Sequence, residues 1–93
     1  MKYHDISEAR QNCERIVQYP HDKDLFLVLH IWDKDSYATH MWNAQDGGLY
    51  HGGYYRQEEG EFFHELEQRA LNAFGRRVLR LYAGFLPQEE ESV

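Results

Sequence analysis

The run "LFLVLHIW", Leu25 to Trp32, constrains the fold more than any other feature of the chain. Read as a strand, it sets Leu25, Leu27, Leu29 and Ile31 on one side and Phe26, Val28, His30 and Trp32 on the other. Neither side is polar enough to face water along its length, so the strand must be covered on most of both faces. The chain has 93 residues, of which 42% are apolar and 15% aromatic, which is enough for one modest core and too little for two. Residues 1–87 are therefore expected to form one compact domain, and residues 88–93 an acidic tail with nothing to bury.

Helical and turn signals flank this strand. In "DISEARQNCERIVQY" the apolar positions Ile6, Ala9, Cys13, Ile16 and Val17 fall at three- and four-residue spacing, which predicts a first helix ending near Gln18. Asp5 is placed to cap it, with Glu8 three residues on as its capping-box partner. Pro20 then forces a turn. Beyond Trp32, "DKDS" reads as a turn, "YATHMWNA" as a second strand, and Asp46-Gly47 as the centre of a type I′ hairpin leading into "LYHGGYYRQ". Gly52-Gly53 marks a bulge, or a place where something packs close to the backbone. Phe63, Leu66, Ala70, Phe74, Val78, Leu81 and Phe85 then describe a second helix, expected to continue through Gly75.

These elements give an α+β domain of order α-β-β-β-α, a three-stranded antiparallel sheet with two helices packed on one face. Double-stranded RNA-binding domains share that order, and there the similarity ends. Such domains grip phosphates with basic residues at the start of the second helix. The same position here carries Glu58, Glu59, Glu61, Glu65 and Glu67.

Charge and composition exclude further classes. With 16 acidic and 10 basic side chains the formal charge is −6, which disfavours nucleic acid and anionic membranes and favours a partner with a basic surface. No signal-peptide core or membrane-length apolar run is present, so a cytoplasmic location is expected. Cys13 is the sole cysteine, which rules out an intrachain disulfide.

The hairpin signals also predict which side chains share a surface. A three-residue turn after Asp33 sets His30 opposite His40, and the Asp46-Gly47 turn sets Trp42 opposite His51. One face then shows His30, Trp32, His40, Trp42, His51 and Tyr55, while Tyr54 falls on the helix-covered face. Three readings compete for the His-Trp face: a core or groove lining with satisfied imidazoles, a docking surface rich in hot-spot side chains, and a zinc site built from His30, His40 and His51. Tryptophan stands between the imidazoles that would have to converge, and no metal-ligand spacing accompanies them. His64 among its glutamates lacks any accompanying nucleophile or phosphate loop, so a solvated helix start suffices for it. Arg69, Arg76 and Arg80 fall on one stripe of the second helix and could bind carboxylates of a partner or of the tail.

The sequence therefore leads us to expect a small acidic, non-enzymatic protein-binding domain without a cofactor. Its docking residues would be Trp32, Trp42, His30, His40, His51 and Tyr55, together with Glu58, Glu59 and Glu61. The partner would be a protein with a basic surface, or a second copy forming a homodimer. One specific form is an inhibitor or accessory protein of a phage or mobile element that covers a nucleic-acid-binding surface. The alternative is a histidine-based metal or small-molecule binder.

Overall fold

The computed structural model describes residues 3–81, and the acidic tail and Phe85 lie outside the described residues. Its elements are α1 (Ile6–Asn12), β1 (Cys13–Gln18), β2 (Leu25–Asp33), β3 (Ser36–Asn43), β4 (Leu49–Arg56) and α2 (Phe63–Leu81). The strands form one antiparallel sheet in the order β1-β2-β3-β4. The fold is thus α+β, with four strands rather than three.

The additional strand comes from the expected first helix. The Asp5 side chain accepts from the Glu8 N–H at 2.9 Å, and Glu8 accepts in turn from the His4 N–H at 2.5 Å, one residue before the cap. The helix nevertheless stops at Asn12, and Cys13 is already extended. Ile16 packs with Phe26, Val28 and Trp42, whereas its neighbour Val17 packs with Leu27, Leu29 and Met41. Adjacent side chains serving opposite layers need a strand's period of two, since a helix would set them only about 100° apart. Pairing with β2 also satisfies the backbone groups of β1 that face it, and β2 becomes an interior strand.

The helices take opposite faces of the sheet. Leu66, Ala70, Phe74 and Val78 of α2 pack on Leu27, Leu29, Tyr37 and Met41. Ala9 and Ile6 of α1, with Tyr3 ahead of them, pack on Phe26, Val28 and Trp42. The expectation of two helices on one face fails because β2 is apolar on both, and each face needs its own cover. Continuity of α2 through Gly75 is as expected over the described residues.

Register decides which side chains meet. The β2–β3 turn has two residues, with Asp33 opposite Ser36, and a bulge at Trp32 restores the even register, so that His30 faces Ala38 and Val28 faces His40. Without that bulge His30 would pair with Thr39, and His30 and His40 would fall on opposite faces of the sheet. His30 and His40 are therefore diagonal neighbours on one face instead of direct partners.

In the next turn Asn43 N–H donates to Gly48 at 3.1 Å and Gly47 N–H to Asn43 at 2.7 Å, and only Gly47 has positive φ, at 73°. A type I′ turn needs two such residues, so this is a longer loop. A second bulge follows around His51, whose φ is 57°. It exchanges the expected places of two tyrosines: Tyr54 pairs with Ala38 on the histidine side, and Tyr55 pairs with Tyr37 on the α2 side.

Candidate functional site

The histidine face is built in three tiers from the α1 end outward. The innermost holds Trp42, fully buried among Phe26, Tyr3 and Leu49, its indole Nε1–H donating to the Tyr3 carbonyl at 3.2 Å. Next come His30 and His40, at 0% and 3% exposure. Trp32 and Tyr54 form the outermost tier, half-buried and exposed respectively, with ring centroids 5.2 Å apart. The cover of Tyr3 and α1 ends before this tier.

A chain of hydrogen bonds joins the tiers. The Tyr3 hydroxyl lies 2.5 Å from His30 Nδ1, His30 Nε2 lies 2.9 Å from His40 Nδ1, and His40 Nε2 lies 3.1 Å from the Tyr54 hydroxyl. A neutral imidazole has one donor and one acceptor nitrogen. The proton on Tyr3 therefore fixes both tautomers: if its O–H donates to His30, each later bond also donates outward toward Tyr54. Burial, with a smaller contribution from His40, lowers His30 from its ordinary 6.5 to about 4. Burial and then the Arg77 charge lower His40 to about 4 as well. Both rings are neutral near pH 7 and serve as connectors. Burial also pushes the Cys13 thiol, hydrogen-bonded to Tyr3, up to about 11, which keeps it protonated and a poor nucleophile.

Gly52 makes the outer contact possible. A Cβ there would run into the Tyr54 hydroxyl and come within 2.8 Å of His40 Nε2. The close packing expected at Gly52-Gly53 and the expected bulge are both present. Trp32 lies over the other side of His40 at a centroid distance of 5.0 Å. The buried relay thus holds exposed Tyr54, packed on half-buried Trp32, in place.

Trp32, Tyr54, Asp33, Ser36 and Arg56 line an open cleft of about 530 Å³. Gln57 N–H donates to the Asp35 carbonyl at 2.8 Å, which ties the β2–β3 turn to the chain leaving β4. That tie gathers the exposed carboxylates Asp33, Asp35, Glu58 and Glu59 at this end of the sheet. The Asp35 N–H and then Ser36 hold the Asp33 carboxyl below its usual range. Glu61 is committed internally: it bonds the Glu58 N–H at 3.0 Å and pairs with Arg69 at 3.0 Å.

Several expected docking residues are therefore placed elsewhere. Trp42, His30 and His40 are interior, because Tyr3 and α1 cover that part of the face. His51 sits exposed in the β4 bulge, outside the relay, and Tyr55 faces α2. Among the described residues no three histidine, cysteine or carboxylate side chains are arranged to hold a metal ion. Arg69 is engaged by Glu61 and Glu58 and donates to the Arg56 carbonyl, which separates it from Arg76 and Arg80. Sequence reasoning missed Tyr3 and Tyr54. Tyr3 lies ahead of the first helix and outside any periodic apolar pattern, and Tyr54 depended on a bulge whose length the glycines do not specify.

The class defined by these features is a small α+β domain with a four-stranded antiparallel meander, one helix on each face and a hydrogen-bonded aromatic surface site. Compared with protein-family models, curated proteins and solved structures, the chain matches none. No helix among the described residues is long and apolar enough to cross a membrane.

Proposed function

We propose that this chain is a non-enzymatic protein-binding domain that docks a basic partner surface, or a second copy of itself, through the Trp32–Tyr54 cleft. The observation that carries this reading is the relay beneath the aromatic pair. An interface side chain fixed before binding loses less rotamer freedom on association. Tyr54 is 57% exposed, yet its hydroxyl is held by His40 and its ring by Trp32. Aromatic side chains of this kind carry a large share of binding energy. Asp33, Asp35, Glu58 and Glu59 outnumber Lys34 and Arg56 around the cleft, and a basic partner would meet net negative charge there. A cytoplasmic inhibitor or accessory protein of a phage or mobile element, acting by covering a nucleic-acid-binding surface, is the form that small size and negative charge favour.

The test replaces Tyr54 with alanine, since Trp32 also contacts both histidines. Sedimentation velocity over a concentration series reads self-association, and photo-crosslinking from position 54 in host lysate identifies a partner for affinity measurement. Tyr54→Ala is expected to weaken the complex by at least about 2 kcal/mol, the scale of a hot spot. A complex indifferent to this change would remove the cleft from the interface.

A further inference from the structure

On the opposite face, α2 places a charge where its pattern calls for an apolar residue. Arg77 lies between Phe74 and Val78 on the buried stripe and is only 8% exposed. Its Nη1 donates to Thr39 Oγ1 at 2.6 Å, and its Nε has no hydrogen-bond partner. The fold makes space for it: a Cβ on Gly53 would lie 2.5 Å from Nη1 and 2.8 Å from Thr39 Oγ1. Yet among the described residues no carboxylate comes within ion-pair distance of Arg77, Arg76 or Arg80. These three arginines, with Gly52, Tyr55 and Ala73, line a cleft of about 490 Å³ between α2 and β4.

The helix dipole favours basic residues in a last turn, and that accounts for exposed Arg80. It does not account for a buried guanidinium bonded only to neutral groups, because a buried charge without a counter-charge is costly. Among the described residues no anion fills the cleft. Three guanidinium groups exceed what one carboxylate can engage, whereas a phosphate offers two charges and three terminal oxygens. The cleft is also within the size range of small-molecule sites. We infer that the Arg76–Arg77–Arg80 cleft binds the phosphate group of a small phosphorylated molecule. This site is separate from the aromatic cleft, and neither reading depends on the other.

The experiment is an amide NMR titration of the full chain with inorganic phosphate and pyrophosphate, at constant ionic strength balanced by chloride, with acetate in parallel. Saturable shifts centred on Gly52, Tyr55, Ala73 and Arg77 are expected for both phosphates, with pyrophosphate binding more tightly than acetate. The exposed pair Arg76→Gln and Arg80→Gln, combined, should weaken phosphate binding at least about tenfold while leaving the spectrum otherwise folded. Shifts that do not saturate, match those from acetate, or survive the double substitution would overturn the assignment. Tighter, steeply salt-dependent binding of a single-stranded oligonucleotide than of pyrophosphate would overturn the small-ligand class.

Discussion

Trp42 illustrates how much one position depends on its surroundings. Its indole is enclosed by Tyr3, Phe26 and Leu49, so Trp42→Ala is expected to cost roughly 3 to 5 kcal/mol, as for other buried large aromatics, read as a lower urea midpoint. The histidines beside it make a pH-dependent contribution. In the unfolded chain they protonate near 6.5, whereas in the fold they stay neutral down to about 4. The unfolded state therefore binds more protons between these values, and stability falls as pH drops. The full contribution is present above about pH 6.5 and is lost on the way to about pH 4. We expect the unfolding free energy measured by urea titration to drop from pH 7 to pH 5 by an amount on the order of a few kcal/mol, while the ring-proton shifts of His30 and His40 stay flat. Ring shifts that titrate fully near 6.5 in the folded protein would contradict the relay.

At the scale of elements, the second helix runs through Gly75 as expected, whereas the first stops at Asn12, short of the expected Gln18. Gly75 leaves α2 intact, and a Cβ built there meets nothing within 4 Å. Gly75→Ala should therefore raise stability by about 0.5 to 1 kcal/mol through helix propensity alone, measurable as an increase in melting temperature. The first helix ends early because the chain gains more from a fourth strand than from two further turns. Amide hydrogen exchange checks that assignment. Val17, paired with Leu27 in step with the bond from the Tyr19 N–H to the Leu25 carbonyl, should be protected together with β2, whereas the N–H of Ile16 faces the open edge of the sheet. Exchange as fast as in a frayed terminus would argue for a detached β1.

Considered as a whole, the molecule separates two kinds of surface on the two faces of one sheet. The histidine face carries an aromatic cleft with an acidic rim, and the α2 face carries an arginine cleft. With a formal charge of −6 and only three of its ten basic side chains gathered in the arginine cleft, the protein should not bind duplex RNA or DNA of arbitrary sequence at physiological salt. Electrophoretic mobility of a labelled duplex tests this, and micromolar, salt-sensitive retardation would contradict it.

Patterns of local origin were legible in the sequence. The two apolar faces of β2, the cap at Asp5, the stripe of α2 and the close packing at Gly52-Gly53 each follow from side-chain period or from the absence of a Cβ. Tertiary structure decided what depends on partners distant in the chain. Ile16 and Val17 fit a helical stripe until β2 offers an edge and two layers to fill. The bulges at Trp32 and His51 each insert one residue, and that insertion alone determines whether His30 meets His40 and whether Tyr54 or Tyr55 faces them. A strand's side chains change face with every residue, so register turns on a free-energy balance among competing packings that no local pattern contains. Burial of Arg77 belongs to the same category, since only the assembled sheet supplies Thr39 and the space above Gly53.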